Sequence, residues 1–404
     1  MRQSALTLIA RVKETGLEPL RGVLKTRAGD LKGALGRVGT VHYARWVILE
    51  PADGFNAVLA FGSDFDGPAD THIADLVREL GPLLDEIYVH CEDYTPGAAA
   101  SYLLNIQCKE AAVYQGSPGR TVQTIAQEKA LRERLVRAVE EGDWTRKSAK
   151  QVHAAVRQQV LAEPEFAWAN ARLDTPRVNY LVLALLGVVA LPFLIPFLLW
   201  AVYMQLFHEL RDPPGTITPN QVPDDVIDAN VCEEDFIFQN QFSQIMLMKP
   251  GRARLFTLKL FFLVTRVLIR LFFVEGKLMG IPTIHFARWV LLDGNKRLLF
   301  FSNFDGSWTQ YLGDFIDKSG WGLNAIFGNT RWFPRIWFLV FRGAYDEMHF
   351  LGWSRSTQIP TQVWYYADAD VTQSIRNINE NTRTRNALNR DLGERAAQQF
   401  LSGL

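Results

Sequence analysis

Residues 41–50 read VHYARWVILE, and residues 284–293 read IHFARWVLLD, with six of the ten positions identical. A second pair of related motifs follows in the same order, SDFDG at 63–67 and SNFDG at 302–306. The recurrence of both motifs predicts that the chain carries one folding module twice. A long uncharged apolar segment lies between the two copies.

Each copy is predicted to begin with a β-hairpin, because the HxARWV stretch is rich in β-branched and aromatic residues and a turn with Asp and Gly follows it. The return strand ends at the Asp-Gly pair. An amphipathic helix comes next, with Asp70 or Ser307 as the candidate cap. Further elements of the second copy are predicted strands at 336–341 and 360–366 and predicted helices at 345–355 and 370–390.

The resulting order, ββαβαβ, is typical of a ferredoxin-like α+β sandwich, in which helices cover one face of an antiparallel sheet. The other face of such a sheet needs a cover, and the second copy can supply it. The sequence therefore predicts an α+β fold in which two ferredoxin-like modules, produced by internal duplication, form a pseudo-dimeric α+β barrel. A membrane-associated helical region is inserted between the modules.

At 404 residues the chain is long enough for two modules with full cores. The predicted parts, in chain order, are N-terminal amphipathic helices at 1–38, the first ferredoxin-like module at 39–140, a basic helical linker at 141–177, a membrane segment at 178–207, an acidic and polar linker at 208–251, a basic amphipathic helix at 252–278, and the second module with a C-terminal helix at 279–404.

The segment 178–207 has no charged side chain. As a helix it would extend about 45 Å, against about 30 Å of bilayer hydrocarbon. Pro192 and Pro196 interrupt it, which leaves two shapes open: one kinked span, or a re-entrant hairpin that turns at 191–196. Basic residues precede the segment and acidic residues follow it, so the positive-inside rule places its N-terminal side in the cytoplasm. Two modules that pack together must lie on the same side of the membrane.

The segment 252–275 combines an apolar body with a narrow basic stripe. Arg252, Lys259, Arg266 and Arg270 fall along one line of a helix. This pattern favours a helix that lies in the headgroup plane beside anionic lipid. A returning span with its basic face buried and an ordinary amphipathic core helix are the alternatives.

Composition excludes several classes of protein. The 43 basic and 43 acidic residues balance, which argues against a nucleic-acid partner. The three cysteines have no CxxC spacing, so neither a disulfide framework nor a metal site is expected, and a reducing setting is the simplest interpretation. The N-terminus lacks the pattern of a signal peptide. P-loop, GxGxxG, nucleophile-elbow and HExxH motifs are absent from the sequence. The sequence gives no oligomeric state.

An Arg and an Asp recur in both copies. Each Arg lies on an apolar strand face, and a buried Arg needs a carboxylate. Arg45 with Asp66, and Arg288 with Asp305, are therefore predicted to form structural pairs. The alternative gives Arg288 and Asp305 catalytic roles. Cys91 is expected to be a buried small hydrophobe, with a catalytic thiol as its alternative.

An Asp-Gly pair after a strand, a nearby Arg and a later His are shared with a known family. GSDFDG at 62–67 is the closest stretch to that family's GxxDG motif. On these residues the modules resemble the dimeric α+β barrel superfamily and, within it, the dye-decolorizing haem peroxidases. The resemblance implies haem as a cofactor, with Asp305 as the acid in peroxide cleavage, Arg288 as the distal arginine and His349 as the iron ligand. The whole chain is also similar to bacterial proteins with paired HFARWV and SNFDG signatures.

Two functions are predicted. The first is a membrane-attached oxidoreductase that acts on an apolar or lipid-derived substrate between the modules, with haem as the candidate cofactor. The second is a non-catalytic protein that holds a lipid or a partner at the membrane surface, with purely structural Arg–Asp pairs. Both place the protein at a bacterial inner membrane with its modules facing the cytoplasm, and its expected partners are the bilayer and an apolar small molecule.

Overall fold

The protein is described by a computed structural model that covers residues 3–171, 173, 176–232, 234–235, 237–274, 276–367 and 374–404. Its strands are β1 (Gln3–Arg11), β2 (Val41–Leu49), β3 (Val58–Asp66), β4 (Glu110–Gln115), β5 (Gln239–Leu247), β6 (Ile284–Leu292), β7 (Arg297–Asp305), β8 (Ile336–Trp337), β9 (Phe341–Arg342) and β10 (Val363–Tyr366). Its α-helices are α1 (Leu17–Thr26), α2 (Ala28–Val38), α3 (Ala69–Tyr88), α4 (Ala99–Asn105), α5 (Val122–Glu141), α6 (Ala149–Ala162), α7 (Tyr180–Met204), α8 (Asp224–Val231), α9 (Arg252–Leu271), α10 (Trp308–Phe327), α11 (Glu347–Thr357), α12 (Ile375–Leu388) and α13 (Glu394–Ser402). Shorter turns are the 3-10 segments Pro164–Asn170, Pro219–Gln221 and Gly343–Tyr345, and the π-helical turn Gln205–Glu209, which extends α7.

Two four-stranded antiparallel sheets form the centre of this mixed α/β chain. The first sheet has the order β1-β3-β2-β10, and the second has the order β4-β6-β7-β5. The predicted hairpins β2–β3 and β6–β7 lie in the middle of each sheet, as expected from the HxARWV motifs. The edge strands cross over: β10 pairs with β2, and β4 pairs with β6. Each sheet therefore contains strands from both halves of the chain.

Two strands lie where the sequence predicted none. Residues 3–11, expected to be helical, form β1, which pairs along its whole length with β3. The second is β5, which lies inside the predicted polar linker 208–251 and pairs with β7. Leu6, Leu8 and Ala10 all pack in the apolar cluster of the first sheet, and their two-residue spacing fits a strand, because alternate side chains point to one face. The predicted strand 336–341 is instead a small hairpin, β8–β9, outside both large sheets.

The two sheets pack face to face, and helices cover their outer faces. Val47 and Leu49 of the first sheet meet Val290 and Leu299 of the second in a shared apolar cluster. The outer face of the first sheet packs under α1 to α4, and that of the second under α9 to α11. Helices α5, α6, α12 and α13 form a separate apolar cluster. The molecule is thus built of stacked layers around a central sheet-to-sheet contact.

An aromatic stack joins each central hairpin to the helix after it. Phe65 stacks on His72 of α3 with ring centroids 3.8 Å apart, and Phe304 stacks on Tyr311 of α10 at 3.9 Å. His72 is buried and lies 3.0 Å from the Ser63 hydroxyl through its Nε2 atom. Burial, and to a smaller extent the positive charge of Arg288, lower the pKa of His72 to about 3. The imidazole is therefore neutral in the folded chain at pH 7.

We expect His72 to make the protein sensitive to acid. Between its ordinary pKa of 6.5 and about 3, the unfolded chain binds a proton that the folded chain excludes, so stability falls as pH falls. From pH 7.5 to 4.5 this difference amounts to about 2–3 kcal/mol. Urea unfolding should show that His72→Tyr and His72→Gln lose less stability over this pH range than the wild type. Parallel pH profiles for all three proteins would contradict the assignment.

Candidate functional site

The two recurring histidines lie in matched β-bulges. His42 is an extra residue of β2 between Val41 and Tyr43, and His285 is an extra residue of β6 between Ile284 and Phe286. In an unbroken strand, alternation would place His285 on the helix-covered face with Ala287. A bulge re-aims the side chain that it carries. As a result, both histidines line the space between the sheets together with the residues that follow them.

Each histidine is oriented by the Asp of its own hairpin. His42 Nε2 lies 3.0 Å from Asp66 Oδ1, and His285 Nε2 lies 2.7 Å from Asp305 Oδ1. The second oxygen of each carboxylate accepts a backbone N–H, from Val122 at the start of α5 or from Ile375 at the start of α12, both at 2.8 Å. The carboxylates thus lie at the positive ends of two helices. An ionised Asp accepts from Nε2–H, which fixes the tautomer and leaves Nδ1 as an acceptor.

The two His–Asp pairs border one cleft of about 90 Å³. Tyr43 and Phe286 contribute its aromatic wall, since the Tyr43 ring lies 5.5 Å from His285 and the Phe286 ring 5.4 Å from His42. Within the described residues, neither Nδ1 atom has a hydrogen-bond partner. Gln3, next to His42, is buried and its Oε1 atom is likewise unpaired. The cleft can therefore accept hydrogen bonds from a small polar molecule.

The recurring arginines do not pair with Asp66 and Asp305, so that prediction is wrong. Arg288 reaches across to the first sheet, where it donates to the Leu6 carbonyl at 2.7 Å and to the Asp64 carboxylate. Both Asp66 and Asp305 are instead occupied by histidine and helix N–H groups. The physical reason is that alternation turns each Arg towards the opposite sheet, whereas the Asp at the strand end lies beside the bulged His of its own sheet.

Arg45 makes the reciprocal contacts with the second sheet. It donates to the carbonyls of Phe242 and Ser302, each at 2.9 Å, and to the Asn303 side chain. Asn303 in turn donates to Asp64 at 3.3 Å. Position 303 corresponds to position 64 in the SDFDG and SNFDG motifs. The two buried guanidinium groups therefore have one carboxylate between them, and it is hydrogen-bonded to Arg288 and not to Arg45. Gly62 permits this close approach, because an added Cβ would lie 3.0 Å from the Phe301 ring.

The shared carboxylate leaves Arg45 weakly compensated. Burial lowers the pKa of Arg45 to about 9, which the more distant Asp64 opposes. Burial also raises the pKa of Asp64, while the charges of Arg288 and Arg45 act in the opposite direction. Arg45 remains charged at neutral pH and relies on neutral oxygen acceptors for its hydrogen bonds.

The predicted haem residues are not brought together. His349 lies on α11, where its Nδ1 atom is 2.8 Å from Asp346 and a third of its side chain is exposed. Arg288 is committed to Asp64, and Asp305 to His285. The apolar cavity of the second half, lined by Trp289, Phe300 and other aromatic side chains, measures about 20 Å³ and is far too small for a macrocycle.

Cys91 shows no sign of a reactive thiol. It is buried in the apolar cluster of the first sheet, and burial raises its pKa to about 12. This agrees with the expectation of a small buried hydrophobe. In the described part of the chain, no group of three or more His, Cys, Asp or Glu side chains is arranged to hold a metal ion. Comparisons with family models, with curated proteins and with solved structures gave no match.

The arginine network predicts an asymmetric effect of matched substitutions. Asp64→Asn would leave two buried guanidinium groups without a carboxylate, and we expect it to lower the free energy of unfolding by about 3–5 kcal/mol. Asn303→Asp gives Arg45 its own carboxylate but loses the hydrogen bond that Asn303 donates to Asp64, so it should cost less stability than Asp64→Asn. Urea unfolding of the two variants in one neutral detergent measures the difference. Equal effects of both changes would show that the shared carboxylate does not hold the sheets together.

Proposed function

We propose that this protein attaches to one face of a bacterial inner membrane and holds a small molecule or a partner there without catalysing a reaction. The observation that carries the proposal is the exposed apolar surface of α7. Within this helix and its π-helical extension, Tyr180–Glu209, the most apolar stretch of 18 residues has a mean hydropathy of 2.7. None of these 18 residues is buried. A helix of this kind is stable only when lipid or another apolar surface covers it.

The base of α7 is fixed to the folded body. Glu209 accepts hydrogen bonds from Lys249 at 3.1 Å and from Arg254 at 2.5 Å, and all three side chains are buried. Above this cluster, the Trp200 indole donates to Thr257 of α9 at 2.9 Å. Because buried ion pairs of this kind are costly to break, α7 leaves the body in a defined direction.

The other end of α7 is also held close to the body. Leu173 exchanges two hydrogen bonds of 3.2 Å with the Asn386 side chain of α12. The six residues 174–179 separate Leu173 from Tyr180, so that link spans at most about 25 Å. A crossing of about 30 Å of hydrocarbon would carry Tyr180 out of its reach. The geometry therefore favours insertion of α7 from one side, as an in-plane segment, over a single transmembrane span. The alternative of a re-entrant hairpin does not fit, because α7 is helical without a turn through 191–196.

An aromatic hairpin surrounds the base of α7. The exposed side chains Trp337, Phe338 and Phe341 lie on the β8–β9 hairpin, and Phe341 is 60% exposed. The Phe338 N–H donates to Gln205 at 2.8 Å, while Leu339 is buried against the end of α7. Phe338 and Leu339 both have positive φ, which is rare for large residues, so the contacts with α7 support a strained turn. Exposed aromatic residues beside an apolar helix are typical of the membrane interface.

The remaining parts of the proposal concern the fold and the orientation. We propose that two ferredoxin-like modules, related by internal duplication, form a pseudo-dimeric α+β barrel. The equivalent strand orders, the matched bulges at His42 and His285, and the reciprocal contacts of Arg45 and Arg288 support it. The basic residues before α7 favour a cytoplasmic body.

A binding role is favoured over catalysis because the cleft lacks an activated nucleophile. Ser117 lines it, yet among the described residues no hydrogen bond joins the Ser117 hydroxyl to either histidine. The haem-dependent alternative requires Asp305, Arg288 and His349 at one centre, and these residues have separate partners.

Membrane attachment should depend on the exposed side of α7. Leu185, Val189 and Phe193 are each more than half exposed, so replacing all three by Lys leaves the core intact. A Lys is costly in hydrocarbon, with about 2.5–3.5 kcal/mol as the value at the bilayer centre. The full-length protein should float with neutral phosphatidylcholine vesicles in a density gradient, and the triple variant should remain at the bottom. The control variant, Val89→Lys with Leu104→Lys, should float. Flotation of the triple variant, or none of the wild type, would refute attachment through α7.

The two ends of α7 should lie on the same side of the membrane. Arg177→Cys and Arg211→Cys, introduced separately with Cys108 and Cys232 replaced by Ser, place a thiol at each end while Cys91 stays buried. A membrane-impermeant maleimide should label both positions in inside-out vesicles and neither in right-side-out vesicles. Labelling of the two positions from opposite sides would establish a transmembrane span and overturn the monotopic arrangement.

A further inference from the structure

A basic pocket of about 550 Å³ opens at the N-terminus of α9. Segments that are distant in the sequence meet there: the link from β5 to α9, the turn between β6 and β7, the turn between β2 and β3, and Arg331. Because these segments belong to both halves of the chain, the pocket is a feature of the assembled body.

The charged residues of this pocket are predominantly cationic. Arg252, Lys296 and Arg331 line it, and none of them has a carboxylate within 4.0 Å among the described residues. The fourth cation, Lys249, is already paired with Glu209 at 3.1 Å. Asp53 is the one acidic residue of the lining. Three uncompensated cations around a concave surface make a site for an anion.

The start of α9 adds backbone donors to the same pocket. Gly251 caps this 20-residue helix without a side-chain hydrogen bond, and the first turn contains no acidic residue. The first intrahelical bond of this turn runs from Leu255 N–H to the Gly251 carbonyl at 3.2 Å. The earlier N–H groups of the turn are those that commonly bind phosphate at a helix N-terminus.

The pocket continues into the surface that faces the membrane in our proposal. Arg252 begins the basic stripe, in which Lys259, Arg266 and Arg270 are all exposed. Beside the stripe, α9 exposes Phe256 and Leu263, each to more than half. A molecule with a phosphate at the helix N-terminus would place any attached acyl chain along this apolar strip. Phe256 also contacts Trp200 of α7, with ring centroids 5.4 Å apart.

We infer that this pocket binds the phosphate of an anionic phospholipid, with the acyl chains lying along the exposed apolar strip of α9. The inference rests on the proposed membrane attachment, which brings the pocket to the headgroup layer. Phosphate is held by Arg252, Lys296 and Arg331 together with the first turn of α9. A zwitterionic headgroup has no net charge, whereas the pocket has an excess of positive charge. The site therefore selects anionic lipid.

The test uses the full-length protein in a neutral detergent, titrated with dioctanoyl phosphatidylglycerol, dioctanoyl phosphatidylcholine or inorganic phosphate. Thermal unfolding and native mass spectrometry report binding. The variant Lys296→Glu with Arg331→Glu removes two cations of the pocket, and Lys32→Glu with Lys25→Glu makes the same change of charge on the exposed surface of α1 and α2. One cation near an anionic lipid contributes about five-fold in affinity.

Phosphatidylglycerol should bind the wild type and the Lys25/Lys32 variant with equal affinity. Its affinity for the Lys296/Arg331 variant should be lower by about 30-fold or more. Phosphatidylcholine should bind all three proteins weakly. Equal losses in both variants, or phosphatidylglycerol binding that survives in the Lys296/Arg331 variant, would overturn the inference. Inorganic phosphate that binds as tightly as the lipid would show a site for soluble phosphate instead. This measurement is made in detergent and does not depend on attachment to vesicles. Lipid binding by the pocket and membrane attachment through α7 can therefore be refuted independently of each other.

Discussion

The reciprocal contacts of Arg45 and Arg288 are the constraint on which the rest of the structure depends. Each arginine starts on the central hairpin of one sheet and ends on the backbone and side chains of the other. A guanidinium has five donors in a fixed fork, so it specifies both the distance and the register of the two surfaces that it joins. Apolar residues around it exclude water, which makes any other register costly. The exchanged strands β4 and β10 add a second tie between the halves.

The contact between the two sheets restricts the path of the apolar segment between Leu173 and Glu209. The chain leaves the body at Leu173 and returns at the Glu209 cluster, and both points are hydrogen-bonded to elements of the same body. In our proposal, a helix between two such points begins and ends on one side of the membrane. The same reasoning gives α9 a double role, since its buried face packs on the second sheet while its outer face is exposed next to the base of α7.

Sequence reasoning found the hairpins that carry the recurring motifs and missed two edge strands, β1 and β5, that carry none. The hairpins at 41–66 and 284–305 were predictable because two copies of one motif support each other. The strand β1 was missed, although Leu6, Leu8 and Ala10 alternate, because Ile9 between them is apolar and interrupts the alternation of apolar and polar residues. The strand β5 carries Gln, Asn or Ser at five of its nine positions. Among them, Gln241 and Ser243 are buried with hydrogen bonds to Thr361. Such long-range partners leave no local pattern.

The site was harder to predict for a more general reason. The motif SDFDG offers two carboxylates, and the one that recurs, Asp66 or Asp305, was the natural partner for a recurring Arg. Asp64, which does not recur, is the actual partner, and the bulges that turn His42 and His285 into the cleft are invisible in the sequence. The recurrence of the HxARWV and FDG motifs suggested that their residues stabilise the fold rather than form a functional site. In the structure, however, His42 and His285 line one cleft, so the two recurring histidines together provide two hydrogen-bond acceptors there. Between the SDFDG and SNFDG motifs, the difference of Asp64 against Asn303 leaves the two buried arginines with one carboxylate, which is hydrogen-bonded to Arg288 and to Asn303.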